Sequence, residues 1–310
     1  MLNSLVIKNF RMLEDFTVEK LGRVNLIVGK NNSGKSTVLE ALRIYAGNAN
    51  RELMINIAEN HDEIIKAYEL DEIEFSYEEL FTDRQYFNKK IFIAEFEECE
   101  KFIVINDGIL ATHQSMKNET TPCGFIPTQF ISMDELERGW NAINLTDNEE
   151  IIIQALQIIL PDFKRLAFDW DDSKRWVKVK LANLSKPVPL KSLGDGMLRI
   201  LQIAIKLVSA QGGFLLIDEF ENGLHYSVQE NVWRLLFEMA EKLDIQVFAT
   251  THSWDCVRSF NAIAMEKENI EAVLFRMGRS ALNSNKDQVI ATVFDKEKLS
   301  RMTESDIEVR

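Results

Sequence analysis

The sequence predicts an α/β protein in which helices flank a mixed β-sheet, and three observations support this fold class. In the second half of the chain, helix and strand patterns alternate from Gly196 to Met277, which is typical of a parallel sheet covered by helices. The segment Val24–Val28 is continuously apolar, as a buried parallel strand should be, and a helix pattern follows from Gly34 to Tyr45. Two further strand patterns, Ser4–Lys8 and Phe16–Glu19, precede this unit.

The middle of the chain is predicted to contain two inserted parts. Residues 48–90 are acidic and irregular, with a helical stretch at Glu63–Leu70, and are predicted to be an insertion. Residues 130–163 are predicted to be a helical subdomain, with helices at Met133–Ile143 and Glu149–Leu160. The other expected elements are strands at Ile91–Phe96 and Phe102–Ile105, a hairpin turn at Asn106-Asp107-Gly108 with a return strand at Ile109–Thr112, and strands at Phe125–Ser132, Arg165–Asp169 and Arg175–Leu181.

Bulk composition is that of a globular protein, so we expect one domain over residues 1–310, with 46% hydrophobic and 27% charged residues. The chain lacks an apolar run of about 18 residues and a secretory signal, so we expect a cytoplasmic protein with no membrane partner. Three scattered cysteines argue against a disulfide framework and a zinc site.

The net charge of −13 disfavours nucleic-acid binding, because the chain as a whole repels phosphate backbones. Such binding would need a local basic patch. The nearest candidates are Lys164-Arg165 and Lys174-Arg175 with Lys178 and Lys180, which fit solvated strand edges better. DNA binding is therefore a minor alternative.

Residues Gly29 to Ser36, GKNNSGKS, fit the phosphate-binding loop pattern G-x-x-x-x-G-K-[ST]. The pattern follows a buried strand and opens a helix, which is the context that this motif requires. Its glycines let successive backbone N–H groups point inward, and the helix N-terminus adds a positive end, so the loop can hold phosphate. Lys35 is expected to reach the β and γ phosphates, and the Ser36 hydroxyl to ligate Mg²⁺.

Two carboxylates, Asp218 and Glu219, follow the apolar strand pattern Phe214–Ile217. Such a strand delivers Asp218 to the sheet edge beside the phosphate loop, where it can hold Mg²⁺ through water. Glu219 can polarise an attacking water molecule. The pair therefore favours nucleotide hydrolysis.

A histidine and a second glycine-rich helix start complete the set. His252 follows the strand pattern that ends at Thr251, at the sheet edge where ligands of open α/β sheets collect, and is expected to sense phosphate. Gly194-Asp195-Gly196 precedes an apolar helix and forms a second anion-binding helix start, with Asp195 as a candidate N-cap. His225 fits either a subunit contact or a helix cap.

Together these motifs resemble the ATP-binding-cassette superfamily, and within it the soluble branch that contains SMC, RecF and OLD-like ATPases. The resemblance covers the N-terminal IKNFR, the phosphate loop, LKSLGDGMLRIL as the signature loop, FLLIDEFENGLH as the Walker B strand with the D-loop, and ATTHS as the histidine switch. Five elements in the family's order imply an ABC-type ATPase head with ATP and Mg²⁺ as cofactors.

The resemblance also implies a role for each matching residue. Glu219 and His252 match the catalytic positions, while Ser36, Gln129 and Asp218 match the metal-binding positions. The implied nucleotide-binding residues are Arg11, Asn31, Asn32, Ser33, Gly34, Lys35, Ser36 and Thr37.

In this family two protomers face head to tail, and the signature loop of one closes the ATP site of the other. The matching residues here are Ser192, Gly194, Asp195 and Gly196. Gly194 stands where the family has serine, so the hydroxyl contact to the γ phosphate is absent from that position.

The spacing of the motifs narrows the expected function. About sixty residues separate Gln129 from the signature loop, too few for SMC-type coiled-coil arms, and about sixty follow His252, too few for an OLD-type nuclease domain. We therefore expect a stand-alone ATPase that forms a homodimer or higher oligomer on ATP and controls a separately encoded effector, for example a nuclease in bacterial anti-phage defence. A RecF-like DNA-repair ATPase and an ATP-gated scaffold with little turnover are the alternatives.

Overall fold

The computed structural model describes residues 1–66, 73–75, 77–84, 89–95, 102–106, 120–171, 174–282 and 286–304. The strands are β1 (Leu5–Phe10), β2 (Leu13–Val18), β3 (Val24–Val28), β4 (Ile64–Lys66), β5 (Ile73–Phe75), β6 (Lys90–Ala94), β7 (Phe102–Asn106), β8 (Cys123–Ile126), β9 (Phe163–Trp170), β10 (Arg175–Leu181), β11 (Val188–Pro189), β12 (Phe214–Ile217), β13 (Gln246–Thr251), β14 (Ala272–Arg279) and β15 (Val289–Phe294). The helices are α1 (Lys35–Ala46), α2 (Arg51–Glu59), α3 (Met133–Ile143), α4 (Glu149–Gln157), α5 (Asp195–Ser209), α6 (Tyr226–Lys242), α7 (Trp254–Glu266) and α8 (Lys296–Glu304).

A mixed sheet in the order β15-β14-β3-β13-β12-β8 forms the centre of the described structure. The strands from β14 to β8 run parallel, and β15 pairs antiparallel with β14 at one edge. β3 and β12 are buried along their whole length, which explains why their sequences are continuous apolar runs. The carboxyl ends of β3, β12 and β13 meet at one edge, and the predicted fold class is confirmed.

Buried apolar clusters cover both faces of this sheet. Alternate residues of β12 divide between them, as the pleat requires: Leu215 and Ile217 belong to one cluster, and Phe214 and Leu216 to the other. The first cluster includes apolar side chains of α3 to α7, and the second includes those of α1 and of strands β1, β2 and β6 in the antiparallel sheet β2-β1-β6-β7. The central sheet is therefore held between helices on one side and α1 with a second sheet on the other.

Helices α3 and α4 lie within residues 130–163, the predicted helical subdomain. Their side chains Leu136, Trp140 and Ile152 belong to the same buried cluster as α5, and α3 and α4 also pack against the small sheet β11-β10-β9. These helices thus share the core of the central sheet. The boundaries of this subdomain and of the 48–90 insertion stay predictions.

Some predicted elements differ in the structure. The helix expected at Glu63–Leu70 is wrong at its start, because Ile64–Lys66 is a strand that pairs antiparallel with β5. Here pairing with another strand outweighs the helix propensity of the local sequence. The strand expected at Phe125–Ser132 ends at Ile126, since Pro127 has no N–H to donate and Ser132 caps α3 by accepting from the Glu135 N–H. The turn at residues 106–108 extends beyond the described residues, and the return strand at 109–112 lies outside them.

Among the described residues, none of the helices is both long enough and apolar enough to span a membrane.

A buried glutamine fastens the N-terminus to the central sheet. Gln246, at the start of β13, is 1% exposed. Its Oε1 accepts from the Leu2 N–H at 2.8 Å, and its Nε2 donates to the carbonyls of Leu2 at 2.7 Å and Gly22 at 2.8 Å. The Gly22 carbonyl also accepts from Asn25 Nδ2 at 2.8 Å, but the described structure gives the buried backbone groups of Leu2 no partner other than Gln246. The amide side chain is therefore required to satisfy them.

Gln246→Leu is expected to lower the free energy of unfolding by about 2–4 kcal/mol, because it leaves buried backbone donors and acceptors unpaired. Urea denaturation followed by circular dichroism measures the change. Gln211→Leu, at an exposed position, is the matched control and should shift the unfolding free energy by less than about 0.5 kcal/mol. Equal stability of Gln246→Leu and the control would contradict the assigned role.

Candidate active site

The phosphate loop connects β3 to α1 and has the backbone geometry of an anion cradle. Gly34 has φ 93° and Asn32 has φ 57°, positive values of the kind found in loops where successive backbone N–H groups line an anion site. A Cβ atom on Gly34 would lie 3.2 Å from the Met12 sulfur. The Ser33 hydroxyl is buried and has no hydrogen-bond partner in the structure. An unsatisfied donor inside such a loop fits a bound phosphate oxygen.

Lys35 lies folded across this loop. Its ammonium donates to the carbonyls of Gly29 at 2.9 Å and Lys30 at 3.0 Å. Burial lowers the pKa of Lys35, and the negative charges of Asp218 and Glu219 oppose that shift. A phosphate in the loop would offer this partly desolvated cation an anionic partner in place of neutral carbonyls.

Asp218, directly after β12, receives hydroxyl donors from three other segments of the chain. Thr250 Oγ1 donates to its Oδ1 at 2.7 Å, Thr128 Oγ1 to its Oδ2 at 3.2 Å, and Ser36 Oγ lies 3.0 Å from Oδ2. The predicted metal-binding residues Ser36 and Asp218 are therefore in contact. Gln129 lies exposed in the loop after β8, one residue beyond Thr128.

The turn that carries Glu219 is fastened to β13 and to α6. Glu219 has φ 49°, and its N–H donates to Thr250 Oγ1 at 2.8 Å. The N–H of Phe220 donates to the Thr250 carbonyl at 2.9 Å, and the Phe220 ring stacks on Trp233 at 4.0 Å between centroids. A left-handed φ at a non-glycine residue is unfavourable, so these contacts stabilise a strained turn. The Glu219 side chain remains 36% exposed at the sheet edge.

His252 lies between two carboxylates at the end of β13. Its Nδ1 is 3.8 Å from Glu219 Oε1 and 3.4 Å from Glu221 Oε1. Glu221 also accepts hydrogen bonds from the Thr251 hydroxyl at 2.7 Å and the His252 N–H at 3.1 Å. The structure thus brings His252 and Glu219 together and adds Glu221, which the sequence analysis did not single out.

A buried arginine, Arg199 of α5, also escaped the sequence analysis. It is 1% exposed and donates to the carbonyls of Pro127 at 2.7 Å, Asp218 at 2.8 Å and Glu219 at 3.0 Å. Burial lowers the pKa of Arg199 to about 10. The available signal was an arginine flanked by apolar residues on both sides in α5, because a buried cation needs specific partners. Arg199 ties α5 to the turn that carries the carboxylates.

The predicted signature loop leads into α5. Gly194 has φ 101° and is the N-cap residue, while Asp195 is the first helical residue. The expectation that Asp195 is the N-cap is therefore wrong, because only glycine adopts this φ readily. Ser192 donates to the Pro189 carbonyl at 2.6 Å. Ser192, Gly194 and Asp195 are exposed, and none hydrogen bonds to the phosphate loop in the described part of the chain.

Two further sequence candidates have local partners. Arg11 forms a bidentate pair with Glu63 at 2.7 and 2.9 Å and contacts Glu40 at 3.0 Å. Burial lowers the pKa of Arg11, but the hydrogen bond to Glu63 and the nearby carboxylates outweigh this effect and raise it. His225 is the N-cap residue of α6, and its Nδ1 accepts from the Ser227 N–H. Of the two roles that the sequence allowed, a subunit contact or a helix cap, the structure shows the cap.

The donor set at the sheet edge fits Mg²⁺ and a nucleotide phosphate. Ser36 and Asp218 offer hard oxygen ligands, which Mg²⁺ prefers together with phosphate oxygens and water. The described residues include no cluster of three or more histidine, cysteine or carboxylate side chains suited to a metal. A metal here would therefore depend on the nucleotide for part of its coordination, as Mg²⁺ in nucleotide sites commonly does.

Two family models match successive parts of the chain. One, described as "AAA ATPase domain", matches residues 1–123, and the other, described as "AAA domain, putative AbiEii toxin, Type IV TA system", matches residues 145–255. The fold is similar to the Smc head domain with an extended coiled coil bound to the C-terminal domain of ScpA, from Pyrococcus furiosus. That match has a TM-score of 0.57 and 12% identity and covers 99% of both chains. These matches identify the chain as an ATPase, and its fold is that of the SMC head domains.

Other comparisons agree with this assignment. The ATPase is 21% identical over 335 residues to an "ATP/GTP phosphatase" of Helicobacter pylori, covering 86% of this chain and 90% of the relative. An uncharacterized protein of Methanocaldococcus jannaschii is 34% identical over 91 residues, covering 29% of this chain and 79% of the relative. The SMC head domain from Thermotoga maritima has a TM-score of 0.50 at 14% identity, covering 95% of this chain and 98% of that structure.

Thr250→Val is expected to disturb the site, because the buried Thr250 hydroxyl both donates to Asp218 and accepts from the Glu219 N–H. We expect the free energy of unfolding to fall by about 1–3 kcal/mol and the ATP turnover number to fall about tenfold or more. Urea denaturation and a phosphate-release assay measure the two effects. Thr292→Val, exposed on β15, is the matched control. Wild-type turnover in Thr250→Val would contradict the assigned contacts.

Proposed function

We propose that the ATPase is a Mg²⁺-dependent switch that dimerises on ATP and opens after hydrolysis. The observation that carries this proposal is the junction of the phosphate loop, Asp218, Glu219 and His252 at one sheet edge. The four contribute an anion cradle, a metal ligand, a carboxylate and an imidazole within reach of one another. This set of groups suits cleavage of a phosphoric anhydride.

Each group has a role in the proposed reaction. The loop residues Asn31 to Thr37 hold the phosphates through backbone N–H groups and the Lys35 ammonium. Mg²⁺, held by Ser36, Asp218 and Gln129, would neutralise phosphate charge. Glu219 orients and polarises the attacking water, and His252 contacts the γ phosphate.

The proposed dimer is supported by the exposed signature loop. Ser192, Gly194 and Asp195 are exposed, and the N-terminus of α5 presents unpaired backbone N–H groups. An anion-seeking helix start that does not contact the chain's own phosphate loop fits the nucleotide of a second copy. In the dimer, ATP is held between the phosphate loop of one protomer and the signature loop of its partner. Arg11 is the proposed additional nucleotide contact, after release from Glu63.

We further propose that this switch acts in the cytoplasm on a separately encoded effector, with a nuclease in anti-phage defence as one candidate. Support comes from one matching family model, which is named after a toxin of a toxin–antitoxin system.

A DNA-binding function receives less support from the basic strand edges. Arg175 pairs with Asp134 and Glu137, and Lys178 pairs with Asp169. These pairs reduce the positive potential available to a phosphate backbone. Tight, salt-sensitive binding of duplex DNA by the purified chain would favour the RecF-like alternative instead.

Glu219→Gln is expected to bind ATP normally, to lower the turnover number by about 100-fold or more, and to remain a nucleotide-bound dimer. The amide keeps the shape of the side chain but polarises water poorly. Phosphate release and light scattering after size-exclusion chromatography measure the two effects. Glu230→Gln, exposed on α6, is the control. Normal turnover in Glu219→Gln would remove Glu219 from the mechanism.

Mixing two inactive variants tests whether the site is shared between protomers. Lys35→Ala should disable the phosphate loop and Gly194→Glu the signature loop, so each alone should lack turnover. In a mixed dimer, one of the two sites is built from two intact halves. Because random pairing makes about half of the dimers mixed, the mixture should regain about a quarter of wild-type activity per chain. No recovery on mixing two folded variants would argue against a shared site.

A further inference from the structure

The carboxylate of Glu221 connects the turn after β12 to the end of β13. Its Oε2 accepts from the Thr251 hydroxyl at 2.7 Å. Its Oε1 accepts from the His252 backbone N–H at 3.1 Å and lies 3.4 Å from Nδ1 of the imidazole. The two oxygens of this side chain therefore contact two consecutive residues: the hydroxyl of Thr251, and the backbone N–H and imidazole ring of His252.

Glu221 is more deeply placed than the two groups beside it. Its side chain is 14% exposed, compared with 36% for Glu219 and 49% for His252. A carboxylate that is largely withdrawn from water is unfavourable unless hydrogen bonds compensate it. The contacts to Thr251 and His252 provide that compensation, so Glu221 has a defined position from which to hold its neighbours.

The same contacts restrict the more exposed histidine. An exposed imidazole samples several rotamers, and a catalytic contact requires one of them. Here the backbone of His252 is fixed through its N–H, and its Nδ1 is drawn to the side on which both carboxylates lie. The Thr251 hydroxyl in turn accepts from the Ser253 N–H at 3.0 Å, which steadies the chain as it enters α7.

We propose that Glu221 is a positioning residue for ATP hydrolysis, which holds His252 beside Glu219. This inference rests on the roles that the proposed function assigns to Glu219 and His252. Glu221 itself need not touch the nucleotide. Its effect on the reaction passes through the place and orientation of the imidazole.

A double-mutant cycle between Glu221 and His252 tests the inference. Glu221→Ala should lower the turnover number by about 10- to 100-fold with little change in KM for ATP, as expected when a catalytic group is misplaced. Glu221→Gln keeps an oxygen acceptor for the His252 N–H and an amide that can pair with the Thr251 hydroxyl, so it should recover most of the activity. Glu241→Ala, exposed on α6, is the control and should be unaffected.

The decisive measurement is Glu221→Ala in a His252→Ala background. If Glu221 acts through the histidine, the second substitution should cause no further loss of turnover. An equal loss in both backgrounds, with His252→Ala itself impaired, would overturn the inference and leave the proposed function intact. Full activity of His252→Ala would overturn the role assigned to His252, and the inference with it.

Thermal unfolding of each variant identifies any loss of turnover that is due to misfolding. Thr251→Val, which removes only the hydroxyl, should show a smaller loss of turnover in the same direction.

Discussion

The candidate site depends on the parallel register of β3, β13 and β12. Val28 pairs with Thr251, and Ala249 pairs with Ile217, so the three strands end at the same edge of the sheet. The phosphate loop, the carboxylate turn and the histidine each begin where a strand ends. A shift of one residue in any strand would turn its side chains to the opposite face. Burial on both faces makes such a shift unfavourable, so the apolar strands determine where the polar groups meet.

Asp218, Glu219 and Glu221 are three carboxylates within four residues, so their negative charges would repel one another. Each of them has different hydrogen-bond partners in the structure. Asp218 has hydroxyl partners from Ser36, Thr128 and Thr250, while Glu221 is occupied by Thr251 and His252. Hydrogen bonds of this kind compensate a carboxylate for its loss of contact with water. Glu219 is more exposed, and its Oε1 lies 3.8 Å from Nδ1 of His252. The carboxylate with the fewest fixed contacts is the one best placed to bind a water molecule.

Sequence patterns predicted the fold class correctly, and they could single out local motifs because each motif lies in consecutive residues and its neighbours in the chain define its context. The phosphate loop and the strand that ends at Asp218 are of this kind. Thr250 and Glu221 could not be recognised in the same way, since their importance comes from contacts between separate strands. The same limit explains the short strand at Ile64–Lys66, which is stabilised by pairing with β5 and not by its own periodicity.

The buried guanidinium of Arg199 has a mechanical consequence. It donates to the carbonyls of Asp218 and Glu219 and to that of Pro127 in the loop after β8, so a displacement of α5 would be transmitted to the turn after β12 as by a lever. Displacement of one end of such a lever must be taken up where the backbone yields most easily. Gly194 has no atom within 4 Å of where a Cβ would lie, so it is the point of least steric resistance just before α5. Gly194, where the missing side chain leaves room for backbone rotation, therefore lies beside the exposed loop that is proposed to meet a second copy, and the buried guanidinium reaches inward to the turn after β12.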